Sequence, residues 1–428
     1  MQNNPYSILN SELDARYSET STNFPLAYYY IETELRLLFT GQEIAHKRNI
    51  ANLVNKYSFI TLLLSRTYFL FCLLLLRIRK NKKRFIYVAL TRHLDMKKKL
   101  AEYSNRFDCH TVSNPQKYKD LICLNKFFLI GHFALNSFKL RKLHKKINKE
   151  GLLKAIEDPD FMQELEKVLF SQIQKMQNFM QLLGFVGFIL QNEHTFEEKI
   201  IVKAAFNLEI PIITIAHGYI VQHELIPYAP FLADYVLLWT KSQKDFFDNY
   251  DSKFVSRTLF LGWPFLPIHK TQGEKTKILL VLTDVDNDLN EEEYLLTLNF
   301  VDQCIQKFGN CKIRLHPTSM KNKSERVSYL KNRYTSLLDL DPLEDSLSSV
   351  GLVMGHDSSV LVTSVMNNIP TVRFEETAKA YMPEVTPLKM YEILSSPFET
   401  LQAKTQVTVK ETNDLNEIVK SILQKLFN

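Results

Sequence analysis

Lys277-Ile278-Leu279-Leu280-Val281-Leu282-Thr283-Asp284 is an apolar run that stops on two polar residues, and its reading decides the fold. The pattern recurs twice downstream. Lys312-Ile313-Arg314-Leu315 runs into His316-Pro317, and Gly351-Leu352-Val353-Met354-Gly355 runs into His356-Asp357-Ser358-Ser359. Short apolar runs separated by helical patterns are what buried parallel strands look like in sequence. A parallel sheet puts the carboxyl ends of its strands on one edge, where ligands bind. Three polar strand ends in succession predict a nucleotide-phosphate pocket.

Outward from this core, helices are expected at Glu292–Phe308, Ser324–Asn332 and Ser359–Asn367, with another strand at Thr371–Phe374. Leu415–Phe427 is amphipathic, with Ile418, Ile422, Leu423 and Leu426 on one face. The polar stretch Pro267–Lys277 reads as a linker. Before it the same rhythm appears: strands at Phe85–Leu90, Phe185–Leu190, Ile210–Ile215, Ala233–Leu238 and Thr258–Leu261, with short strands possible at Cys109–Val112 and Leu121–Leu124. Helices are expected at Leu94–Tyr103, across Leu152–Met180, at Phe196–Leu208, and at Ser242–Tyr250 with Ser242 as N-cap. The expected fold class is α/β with two Rossmann-like domains, residues 84–268 and 269–428, behind a helical N-terminal extension over residues 1–83.

Bulk properties agree. A chain of 428 residues exceeds one typical core, and 45 % hydrophobic with 23 % charged residues argues against long disorder. The five cysteines form no CxxC pair, which excludes a zinc or disulfide framework and suits a reducing cytoplasm. Met1-Gln2-Asn3-Asn4-Pro5 lacks the cationic and apolar parts of a signal peptide. The net charge of +6 is mild but clumped, at Arg77–Arg84 and again at Arg141–Lys149. Such clumps suit an anionic membrane surface or a polyanionic substrate, and for the second clump a solvated helix face serves equally well. The segment Phe59–Leu76 is long enough to span a bilayer, yet Arg66 near its middle would cost about 2.5–3.5 kcal/mol there. A helix buried in the fold, one lying in the membrane interface and a true span are the three readings. The expected one is a peripheral helix whose cationic tail rests on headgroups.

Each candidate chemical group has a structural rival. Pro317 ends its strand, so His316 should project into the crevice, where it can donate to a phosphate oxygen; otherwise it caps a turn. Asp357, Ser358 and Ser359 precede a helix, where hydroxyls and free N–H groups bind anions or merely cap. Thr283 and Asp284 shape the same edge. In the first domain Glu193 and His217 follow strands, and Glu193, read as an exposed loop carboxylate, is the candidate base. Asp284-Val285-Asp286 matches the Asp-x-Asp by which many sugar transferases hold manganese. An EF-hand is excluded because Leu289 stands at the turn glycine and Leu295 at the closing glutamate. No metal and no cofactor are assigned. The absence of GxGxxG, P-loop, GxSxG and HExxH sequences excludes most dehydrogenases, P-loop NTPases, lipases and zincins. No basic platform interleaved with stacking aromatics is present, so nucleic acid is not an expected partner.

These motifs resemble a known group. Ala204-Ala205, Ile210-Pro211 and the strand ending in His217-Gly218 look like the alanine-rich helix, Ile-Pro and His-Gly pattern of bacterial surface-polysaccharide transferases. Ala233-Asp234 and Gly262-Trp263-Pro264 are similar to the elements that close their first domain. His316-Pro317 and Ser358-Ser359 resemble the His-Pro and Ser-Ser motifs of bacterial sialyltransferases, Kdo transferases and CDP-glycerol-using relatives. The resemblance covers residues 84–375. It implies the two-domain GT-B fold, an acceptor domain before a donor domain, and a CMP- or CDP-linked donor held generally without a metal. Donor contacts would come from Thr283, Asp284, His316, Pro317, Asp357, Ser358 and Ser359, with Glu193 or His217 as base. The partners would be a CMP-linked nucleotide sugar, a lipid-linked or polysaccharide acceptor and the cytoplasmic face of the inner membrane. Ala216 stands where the group has Gln, and the acidic base motif of sialyltransferases is not evident. A CDP-polyol phosphotransferase of teichoic-acid-like polymers and a non-catalytic glycan-binding subunit are the alternatives.

Overall fold

The computed structural model describes residues 5–39, 84–90, 94–102, 121–125, 137–191, 195–216, 231–250, 258–260, 276–286, 288–321, 323–378, 382–405 and 414–427, together with Leu64, Thr67, Leu70 and Glu193. These residues belong to two compact units.

The first unit is built on six parallel strands: β1 (Arg84–Ala89), β2 (Leu121–Asn125), β3 (Phe185–Leu190), β4 (Ile212–Ile215), β5 (Tyr235–Leu238) and β6 (Thr258–Phe260). Their order is β2-β1-β3-β4-β5-β6. Helix packing on both faces explains why β3 and β4 read as almost continuous apolar runs. The long helix Pro159–Leu183 starts where Asp158 accepts from the N–H groups of Asp160 and Phe161, and Pro159 fits the first turn because it lacks an N–H. The same proline separates it from the short helix Leu152–Ile156, so the single block expected over Leu152–Met180 is two helices. The N-terminal helices Pro5–Asn23 and Pro25–Phe39 pack on this unit, the second against Pro159–Leu183 and Phe196–Asn207.

The second unit carries five parallel strands: β7 (Ile278–Val281), β8 (Cys311–Arg314), β9 (Leu352–Gly355), β10 (Thr371–Phe374) and β11 (Thr386–Leu388), in the order β11-β10-β9-β7-β8. Its core joins Ile278, Leu280, Ile313, Leu352, Met354, Val372 and Phe374 to Phe300, Val301 and Cys304 of the helix Glu291–Phe308. That helix opens with a capping box between Asn290 and Glu293. The expected class, α/β with two Rossmann-like parallel sheets and a helical N-terminal part, is the observed one.

Two further expectations are corrected. The terminal helix Leu415–Phe427, assigned to the second domain, lies in the first unit, with Ile418, Val419, Ile422, Leu423 and Leu426 in one core with Ile86, Val88, Ile189 and Ile213. A Cβ on Gly187 of β3 would meet Leu426 Cδ2 at 2.6 Å, so the glycine leaves the room in which the end of the Leu426 side chain packs. The helix expected at Ser242 begins at Lys241, and its N-cap is Thr240, whose Oγ1 accepts from the Gln243 N–H at 3.1 Å.

Most of Phe59–Leu76, the cationic run after it to Lys83, and the possible strand Cys109–Val112 lie outside the described residues. Leu64, Thr67 and Leu70 are helical and exposed. Among the described residues no helix is long and apolar enough to cross a membrane.

Candidate active site at the strand ends of the second sheet

In the second sheet the chain leaves β7 for β8 on one side and returns at β9 on the other, so the strand order reverses between β7 and β9. Crevices at such reversals, beyond the carboxyl ends of the strands, are where open α/β sheets bind ligands. The register aligns the three ends, because Val281 pairs with both Arg314 and Gly355. Thr283, His316 and Asp357 therefore follow the ladder at about one level. The structure brings the three sequence motifs together around β7.

The close fit of β9 to β7 depends on Gly355. A side chain there would sit 2.3 Å from the Val281 carbonyl oxygen and 2.9 Å from Val281 Cβ. The next residue, His356, is buried and couples two elements to the strand end. Its Nδ1 accepts from the Thr283 N–H at 3.4 Å, which puts the ring proton on Nε2, 3.0 Å from Thr297 Oγ1. Thr297 Oγ1 in turn donates to the Glu293 carbonyl at 2.7 Å. The ring edge meets Phe374 at 5.2 Å between centroids. Sequence alone points to no role for His356, because it does not say toward which side a residue after a strand turns.

The loop after β7 is fastened by its own carboxylates. Asp288 accepts from Thr283 Oγ1 and, at 3.1 Å, from the Asp284 N–H. Asp284, buried, accepts from Ser319 Oγ at 3.3 Å, and Asp286 accepts from Ser324 Oγ at 2.7 Å. Arg326 donates to the carbonyls of Val285 and Leu289 at 3.0 and 2.9 Å. Each carboxylate of the Asp-x-Asp thus has a hydroxyl partner in the segment after β8, which ties the first strand end to the second. Among the described residues no group of three or more His, Cys, Asp or Glu side chains is placed to hold a metal ion.

His316 is half-buried and Pro317 exposed. Pro317 opens the short helix Pro317–Lys321, and the His316 carbonyl accepts from the Met320 N–H at 3.0 Å. The strand ends at Arg314, whose guanidinium bonds Asp339 at 2.6 Å.

Ser358 caps the helix Ser359–Met366, its Oγ accepting from the Val360 N–H at 3.2 Å, while its carbonyl accepts from the Leu361 N–H. Ser359 is only partly buried, and among the described residues its own N–H and hydroxyl meet no hydrogen-bond partner. One serine caps and the other leaves two donors at a helix N-terminus, the arrangement that receives an oxyanion. Asp357 is engaged by Arg373 of β10.

In the first unit Glu193 is buried rather than exposed. Its carboxylate accepts from Thr214 Oγ1 at 2.7 Å and from the N–H groups of Leu232 and Ala233 at 2.8 and 3.2 Å. Asp234 accepts from the Ile212 N–H at 2.8 Å, so the Ala-Asp pair fastens β4 to the entry of β5. His217 lies outside the described residues. The buried thiols offer no nucleophile: burial pushes Cys304 well up and Cys311 to about 11.

No protein-family model matches the sequence, and no curated protein matches it. Among solved structures, the chain is similar to Methanocaldococcus jannaschii UDP-GlcNAc 2-epimerase in complex with UDP-GlcNAc and UDP, with 9 % identity and a TM-score of 0.48 over 81 % of this chain and 100 % of that one. It is similar to S. aureus MnaA with UDP at 12 % identity and a TM-score of 0.48, over 80 % and 95 % of the two chains. TarM matches over 60 % of this chain and 58 % of its own at 12 % identity, with a TM-score of 0.38. At such scores function does not transfer from these proteins to this chain.

Proposed function

We propose that this protein is a glycosyltransferase of the GT-B kind that moves a sugar of the sialic acid or Kdo type from a CMP-activated donor to a bacterial surface glycan. The observation that carries the reading is the convergence of Thr283-Asp284, His316-Pro317 and Asp357-Ser358-Ser359 at the strand-order reversal of the second sheet. The acceptor hydroxyl attacks the anomeric carbon as the bond from that carbon to the donor phosphate breaks. CMP departs with the bonding pair, and the hydroxyl proton passes to a base. Ser359, through its N–H and hydroxyl at the helix N-terminus, and His316 stabilise the charge that grows on the departing phosphate. Thr283 and Asp284 hold the loop that borders the nucleotide. Glu193 braces the first unit, with three donors converging on it, and His217 is the base. No metal enters this scheme. The lipid-linked or polysaccharide acceptor places the enzyme on the cytoplasmic face of the inner membrane, with Phe59–Leu76 and Arg77–Arg84 as its contact.

Calorimetric titration with CMP, CDP, UDP and GDP, with and without manganese, tests the proposal on the wild type and on His316→Ala. CMP binding that needs no metal and falls at least about tenfold in the variant is the expected result. Binding of UDP or GDP that requires manganese would overturn the donor assignment.

A further inference from the structure

Asp357 sits two residues before Ser359 and its donors, and an anionic side chain there repels the phosphate those donors are to receive. The fold places a guanidinium against it. Arg373 Nη1 donates to Asp357 Oδ1 at 3.3 Å, and the two side chains are only 11 % and 14 % exposed. The contact is set by sheet register: on β10, Arg373 pairs with Gly355 of β9, two residues before Asp357. Solvent screens so enclosed a pair weakly, so loss of the Arg373 charge makes the potential at the turn more negative.

We propose that Arg373 is a positioning residue of the anion site: it neutralises Asp357 and draws it aside, so that the turn before helix Ser359–Met366 can face a phosphate or diphosphate. This rests on the reading of Ser358-Ser359 as the donor-phosphate site. It changes the part given to Asp357, which becomes the pin for Arg373 and not itself a ligand of the donor. Arg373 lies outside all three motifs, and only the pairing of β9 with β10 connects it to them.

The test is calorimetric titration with CMP and with inorganic pyrophosphate, together with the melting temperature of each protein. The variants are Ser359→Ala, Arg373→Gln, Arg373→Lys, Asp357→Asn and the double Asp357→Asn/Arg373→Gln. Arg373→Gln removes the positive charge opposite the Asp357 carboxylate and should weaken both ligands by about tenfold or more. Arg373→Lys keeps the charge and should recover most of that loss. The double variant removes both charges and should bind within about threefold of wild type, while Asp357→Asn alone binds at least as well as wild type. A double variant that melts with the wild type yet binds as weakly as Arg373→Gln would show that Arg373 grips the ligand directly, and would overturn the inference. So would Arg373→Gln binding like wild type. If Arg373→Gln fails to fold, Asp357→Asn and the double variant still decide between these outcomes. Ser359→Ala separates the two levels. Unchanged binding in that variant removes the phosphate site and with it the proposed function, whereas loss there with Arg373→Gln unchanged removes only the role of Arg373.

Discussion

At the scale of single residues, the strand ends show what sequence can and cannot place. Thr283, His316 and Ser358-Ser359 were legible because a polar residue after an apolar run has one structural meaning in a parallel sheet, and the register then sets them level. Gly355 stands in the third run as one apolar-strand residue among others, yet its missing side chain is what lets β9 approach the Val281 carbonyl. Because the obstacle is backbone, which cannot swing away, Gly355→Ala should destabilise the second unit by about 1–3 kcal/mol. A lower denaturation midpoint with an unchanged slope would show it; a variant as stable as wild type would mean β7 and β9 have room to part. His356→Phe keeps a ring against Phe374 but leaves the Thr283 N–H and Thr297 without their partner. It should cost about 1–3 kcal/mol and weaken nucleotide binding, since it frees the start of the loop that Asp288 and Ser319 hold.

Among elements, the helix Pro25–Phe39 is the one whose docking the sequence left open. A helical extension is expected over this part of the chain, but the groups that seat the helix come from far along the sequence. Glu166 accepts from the N–H groups of Leu26 and Ala27 at 3.3 and 2.7 Å, closing the helix start from a neighbouring helix. Lys199 donates to the carbonyls of Tyr29 and Tyr30 at 3.0 and 2.9 Å from a buried position. Burial pulls its ammonium down from the ordinary 10.5 to about 8, against the pull of Glu32 and Glu34 in the other direction and with Arg36 adding to the fall. The sign follows from proton counting. Between about 8 and 10.5 the unfolded chain binds the proton that the folded chain has released, so stability rises with pH across that window. It is lost again as pH falls toward 8, a change of roughly 3 kcal/mol. Denaturant unfolding of the wild type and of Lys199→Met from pH 7 to 10.5 should give curves whose difference grows with pH in the wild type's favour. Parallel curves would show that Lys199 keeps an ordinary affinity for its proton. The neighbouring misreading of Ser242 has the same origin. Both Thr240 and Ser242 are capping types, and only the backbone decides which hydroxyl meets the N–H of Gln243.

For the whole molecule, the two-sheet plan was legible because alternating apolar runs and helical stretches leave few other topologies open. The path of the last helix was not. Periodicity says that Leu415–Phe427 buries one face, not which sheet lies under it, and sequence adjacency pointed to the wrong unit. The informative residue was Gly187, an isolated glycine inside an apolar strand, which marks close approach by something distant; that something is Leu426. The consequence is that the first unit is incomplete until the chain has passed through the second. Ile418, Val419, Ile422, Leu423 and Leu426 are nearly fully buried, and at about 1.5–3 kcal/mol each their removal costs on the order of 10 kcal/mol, comparable with the stability of an entire domain. A chain ending at Thr405 should therefore keep the second unit folded and lose the first. Hydrogen exchange would read the two separately: protection across β7–β10 retained, protection across β3 and β4 gone, and the latter regained when residues 414–428 are supplied as a peptide. Protection of β3 and β4 in the shortened chain without the peptide would mean the first sheet holds its own core and the returning helix only covers it.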